Sequence, residues 1–148
     1  VASDGFEKIT PRRIAGISAR CANNQPETIH GLWGQYTQQD IPSRLQGSGM
    51  YAVYFEYESD VSGPYTLLLG QHVEDDAPLP EGMRDVFLEP GDYAVFDAVG
   101  PFPQGIVDAW SRVWSSSLQR TYRTDFEMYL GPERASIFVG SWESESVL

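Results

Sequence analysis

The sequence predicts an α+β fold made of duplicated strand–helix–strand–strand modules. Three observations carry this prediction. The apolar pattern runs strand, helix, strand, strand and then repeats that order after a short linking strand. Pro26 precedes Ile29, Leu32 and Trp33, and Pro103 precedes Ile106, Ala109 and Trp110 at the same spacing. Phe55-Glu56 in the first half answers Phe126-Glu127 in the second, and the hairpin partners end alike, at Leu69-Gly70 and Val139-Gly140. The repeats cover about residues 9–75 and 85–143 of one domain spanning 1–148.

Each element has a local reason. RRIAGISAR, with Cys21 after it, reads as a strand in which Gly16 marks a bulge or a close approach. Pro26 fits a first helical turn, with Glu27 near the positive end of the helix dipole. Ile29, Leu32, Trp33 and Tyr36 follow at the spacing of an amphipathic helix. Gly31 and Gly34 weaken that helix by about 1 kcal/mol each and are read as room for another backbone. Pro42 is expected to end it, and SRLQGSGM to be a loop. YAVYFEYESD and YTLLLGQHVED, joined by DVSGP, read as a hairpin. DDAPLPEGM is an acidic, Pro-rich loop, RDVFLEP a short strand and GDYAVFDAVGP an alternating one. The second helix carries Ile106, Trp110, Val113 and Trp114 on its apolar face, and Arg120 and Arg123 are expected near its C-terminal end. TDFEMYL and ASIFVGSWE close the pattern as strands around GPER, and SESVL reads as a frayed tail.

The totals narrow the function. The chain has 148 residues, a formal net charge of −11, and 4 Trp, 8 Tyr and 7 Phe. So acidic a surface disfavours nucleic acid and anionic membranes as partners. The single cysteine, Cys21, allows no internal disulfide and reads as a core residue. His30 reads as a helix residue and His72 as a strand residue, so no metal set emerges and no cofactor is expected. No signal peptide or bilayer-length apolar run is visible, which makes the cytoplasm the default location.

The question that matters for function is why the apolar strand TDFEMYL carries Glu127. Alternation puts Phe126, Met128 and Leu130 on one face, and Asp125, Glu127 and Tyr129 on the other. In the first half, Tyr54, Glu56 and Glu58 share a face. If the halves pack about a pseudo-twofold axis, the two Glu converge on one cleft. Three settings are open to Glu127: solvent, an internal arginine pair, or a pocket awaiting a cationic ligand. Burying an unpaired carboxylate costs several kcal/mol, so a pocket Glu needs a partner, water or a raised pKa.

RRIAGISAR, GLWGQY after its proline, YAVYFEY, PGDYAVFDAVGP, DAWSRVW and TDFEMYLGP together resemble the gyrase-inhibitor-like (GyrI-like) ligand-binding domain. This is the effector domain of many AraC-type and multidrug-sensing bacterial regulators, and the similarity covers about residues 6–143. The resemblance implies antiparallel curved sheets and two main helices around a central cleft. It also implies that the cleft binds lipophilic cations through an acidic residue and surrounding aromatics. Glu127 and Tyr129 match the family's FE-x-Y strand, and Trp110 and Trp114 its helix aromatics. Glu56, Tyr54, Trp33 and Tyr36 follow from the repeat. With no helix-turn-helix in the sequence, a stand-alone sensor or sequestering protein is expected. Two alternatives stay open: a hydrolase of strained-ring electrophiles with a pocket Glu as general base, and a module that inhibits a protein target. A protein partner or a homodimer is compatible with either.

Overall fold

The computed structural model describes residues 3–143. In chain order they form β1 (Gly5–Ile9), β2 (Arg13–Cys21), α1 (Pro26–Gln38), α2 (Ile41–Leu45), β3 (Ser48–Phe55), β4 (Tyr65–His72), β5 (Arg84–Phe87), β6 (Gly91–Val99), α3 (Gln104–Ser115), β7 (Arg120–Gly131) and β8 (Arg134–Ser141). The tail read as frayed, 144–148, lies outside the described residues.

All strands join one eight-stranded sheet in the order β1-β6-β8-β7-β3-β4-β2-β5. Every pairing is antiparallel. The sequence suggested more than one sheet. The β3–β7 ladder, in which Ala52 faces Glu127 and Tyr54 faces Asp125, fuses the two hairpins into a single one. One core gathers Ile14 of β2, Val53 of β3, Leu68 of β4, Tyr93 of β6, Phe126 of β7 and Phe138 of β8. Strands far apart in the sheet order can share a core only if the sheet curls. Phe126 and Phe138 stack at its centre, 4.5 Å between rings.

The helices lie on the other face. Leu32 and Tyr36 of α1 pack on Ile17, Leu67 and Leu69, while Ala109 and Val113 of α3 pack on Ala94, Phe96 and Ile137. The unbroken apolar run of β4 is thereby explained, since Leu67 and Leu69 meet α1 while Leu68 enters the opposite core. Gly16 and Gly70 are register partners on β2 and β4. A Cβ on Gly16 would come within 1.9 Å of the Leu69 carbonyl oxygen, which makes this the close approach expected.

Several local expectations fail for identifiable reasons. Pro42 does not end α1: the chain leaves the helix at Gln39, turns at Asp40 with φ 50°, and Pro42 sits in the first turn of α2. Arg120 and Arg123 do not cap α3, which stops at Ser115; both belong to β7. Gly31 and Gly34 meet no other backbone, for a Cβ on either has nothing within 4 Å. Replacing either by alanine is therefore expected to stabilise the fold by about 1 kcal/mol. Urea unfolding measures this, and a loss of stability would mean the exposed face of α1 is not free.

Candidate functional site

α1 covers β2 and β4 and α3 covers β6 and β8, leaving the central strands β3 and β7 between them. A cavity of about 620 Å³ opens there. Tyr54, Tyr65, Glu127 and Tyr129 line it from the sheet; Ile29, His30 and Trp33 do so from α1; Ile106, Trp110 and Trp114 do so from α3. Phe102, Tyr57 and Arg120 also face it. The rings brace one another edge-on: Trp33 and Phe102 against Tyr129, and Tyr54 against both Tyr65 and Trp110. Such pairs hold the walls in place beyond their simple burial.

Glu127 is 1% exposed. Its Oε2 accepts hydrogen bonds from the Tyr54 hydroxyl and from Trp110 Nε1, both at 2.7 Å, and its Oε1 accepts one from the Tyr129 hydroxyl at 2.8 Å. All three donors are neutral. Burial pushes its pKa above the usual carboxylate range, and the hydrogen bonds from Trp110, Tyr54 and Tyr129 work in the opposite direction. Tyr54 and Tyr129 are pushed well up, first by burial and then by the Glu127 charge, so both keep the protons they donate.

A second buried carboxylate stands two residues away on the same face of β7. Asp125 is fully buried. It accepts hydrogen bonds from the Gly140 amide at 2.8 Å, from Arg120 Nη2 at 2.7 Å and from the Tyr57 hydroxyl. Burial pulls the Arg120 pKa down, but Asp125 more than reverses this and the net shift is upward, so the guanidinium stays charged. Arg120 thus neutralises Asp125, while Glu127 has hydrogen bonds and, among the described residues, no countercharge.

The expected site residues divide. Glu127, Tyr129, Tyr54, Trp110, Trp114 and Trp33 all line the cavity, with Trp114 half exposed at its edge. Tyr36 does not: it is buried between α1 and the sheet, its pKa pushed up to about 12 by that burial. Glu56 does not converge with Glu127 either. It adopts φ 54°, which breaks the alternation of β3 at its end. Its carboxylate instead meets Arg84 Nη2 at 2.6 Å and the Thr66 hydroxyl at 2.8 Å, outside the cavity. The hydrogen bond from Arg84 chiefly holds it below the usual carboxylate range. The same break brings Tyr57 into the cavity wall. Tyr57, Tyr65 and Arg120 were not anticipated. Asp125 had been placed on the correct face of its strand, and that face could have flagged it.

Residues 6–142 match the family described as Cass2, integron-associated effector binding protein. The chain is 32% identical over 151 residues to YobU of Bacillus subtilis (strain 168), a candidate transcriptional regulator by its name, covering 90% of this chain and 94% of that one. It resembles the crystal structure of the Vibrio cholerae integron cassette protein VCH_CASS2 with a TM-score of 0.79 and 26% identity, over 95% of this chain and 97% of that one. The fold also matches SAV2435, whose structure was solved bound to tetraphenylphosphonium, with a TM-score of 0.75 and 16% identity over 92% of each chain. The GyrI-like resemblance read from the sequence is consistent with all of these. The chain belongs to the Cass2 family of integron-associated effector-binding proteins.

Proposed function

We propose that the protein binds lipophilic, aromatic cations in this cleft, with Glu127 as the anionic anchor, and acts as a sensor or sequestering protein. The observation that carries the reading is Glu127 itself: a carboxylate buried among rings, held by three neutral donors. A cation at contact distance gains about 4 kcal/mol from it at an effective dielectric near 20, before desolvation is subtracted. Each Trp or Tyr face it meets adds about 0.5–2 kcal/mol. The oxygens of Glu127 are already engaged by their donors, so a diffuse charge that offers no hydrogen bond suits the site better than a primary ammonium. That SAV2435 holds tetraphenylphosphonium in the same fold supports this choice, and the name of YobU supports a sensing role.

The site also fits an origin by duplication. β2, α1, β3, β4 and β6, α3, β7, β8 follow one order, and the sheet order reads outward from β3–β7 as β4, β2 on one side and β8, β6 on the other. We read the cleft as the seam between two copies, of which only the second kept its acid in the cavity.

Tetraphenylphosphonium is the direct probe. Its addition is expected to raise the melting temperature progressively with concentration and to quench tryptophan fluorescence, because Trp33, Trp110 and Trp114 line the cavity. Neutral triphenylphosphine oxide should do far less. Equal responses to the two compounds would remove the charge from the account.

A further inference from the structure

Resting on the cation reading, we infer that the cleft has a second polar subsite, at Arg120, and that the preferred guest is an aromatic cation bearing a carboxylate or carbonyl oxygen about 7 Å from its charge.

Arg120 is unusual among the described residues. Its side chain is only 7% exposed, yet it belongs to the cavity wall. One nitrogen, Nη2, is taken by Asp125. Its Nε is sealed from solvent and finds no acceptor among the described residues, whereas Nη1, which makes no hydrogen bond there either, is not sealed and is the donor a guest can reach. A guanidinium N–H without an acceptor is unfavourable, more so than a neutral donor, because the group is charged. A guanidinium has five N–H donors in a fixed fork, so it can hold Asp125 and still serve a further acceptor. Its position is tightly set. The guanidinium lies 4.4 Å from the Tyr122 ring centre and 5.9 Å from that of Trp110.

Trp110 connects the two subsites. Its Nε1 donates to Glu127, and its ring lies beside Arg120. The carboxylates these groups serve, Asp125 and Glu127, project from the same face of β7 two residues apart, a rise of about 7 Å. Taking that spacing as the scale of the gap between the two subsites, a flat or propeller-shaped cation resting on Trp110 with its charge toward Glu127 would present a pendant oxygen to Arg120. Charge-assisted hydrogen bonds of this kind are shorter and roughly twice as strong as neutral ones. The paired Asp125 limits the gain, since it already satisfies part of the Arg120 charge.

The test uses matched phosphonium ions titrated into the protein by calorimetry. (4-Carboxybutyl)triphenylphosphonium and pentyltriphenylphosphonium share the cation and differ in one terminal group. The carboxylate form should bind the native protein at least tenfold more tightly. (Carboxymethyl)triphenylphosphonium, too short to span the two subsites, should show no such advantage over its methyl analogue. In Arg120→Lys, which retains a cation for Asp125 but lacks the fork, the carboxybutyl-to-pentyl ratio should fall to about one. Equal binding of the long pair to the native protein overturns the subsite and leaves the cation reading standing. So does an equal advantage for the short carboxylate, or a tenfold ratio that survives in Arg120→Lys. If none of the phosphonium ions binds, the cation reading itself fails and the subsite with it.

Discussion

Asp125→Ala is expected to destabilise the fold by about 3–5 kcal/mol, because it breaks a buried ion pair behind the cleft. The reason is what the substitution leaves behind. Arg120 would stay largely buried with no carboxylate, and the Tyr57 hydroxyl and Gly140 amide would lose their acceptor. Urea unfolding followed by far-UV circular dichroism reads the loss as a lower midpoint at an unchanged slope. Arg120→Met should also destabilise, because it leaves the buried Asp125 charge unpaired. The double variant Asp125→Ala, Arg120→Met should lose at least about 1 kcal/mol less than the sum of the two single losses, since the groups act as one unit. A loss below about 1 kcal/mol for Asp125→Ala, or strict additivity, would show that the pair does not hold the centre of the sheet together.

Glu127→Gln should lower the affinity for tetraphenylphosphonium by a hundredfold or more while changing the affinity for neutral aromatics little. The amide keeps an acceptor oxygen for Tyr54 and Trp110 and offers a donor to Tyr129, so the site loses charge and little else. The pH dependence follows with a definite sign. Burial raises the Glu127 pKa above its unfolded value of about 4.3. The native state therefore retains a proton that the unfolded chain has already lost, and this contribution to stability falls as pH rises from that value through the raised native one. Over the same window Glu127→Gln should gain stability relative to the native protein. Cation affinity should move oppositely in the native protein, rising with pH as Glu127 ionises and then levelling off, and should stay flat in Glu127→Gln. Calorimetric titrations at several pH values decide this. An affinity independent of pH in both proteins would mean that Glu127 carries no proton in the accessible range, and that the charge is not held back by burial.

Much of the fold was legible because local periodicity carries it. The recurrence of Ile29, Leu32, Trp33 and Tyr36 could only be one face of a helix, and β4 and β6 announced themselves by apolar content and alternation. Alternation along β7 also put Glu127 and Tyr129 together and set them apart from Phe126. What failed were places where a single backbone rotation resets the pattern. The left-handed turn at Glu56 sends that carboxylate to Arg84 and turns Tyr57 inward, and a similar one at Tyr122 accompanies the register shift through which Arg120 reaches Asp125. Positive φ at a glutamate or a tyrosine carries no sequence signal comparable to that of a glycine.

The amino-acid sequence by itself determined where the amphipathic helices and alternating strands lie, and that Glu127 and Tyr129 share one face of their strand, opposite Phe126. Short-range patterning suffices for that, because it depends on residues a few positions apart. Only the tertiary structure decided that Glu127 and not Glu56 enters the cleft, that Arg120 serves Asp125 and leaves Glu127 without a countercharge among the described residues, and that Tyr36 belongs to the core. Those outcomes depend on which charges meet across the β3–β7 seam and on how deeply each is removed from water, and no periodicity along one strand encodes the distance to another.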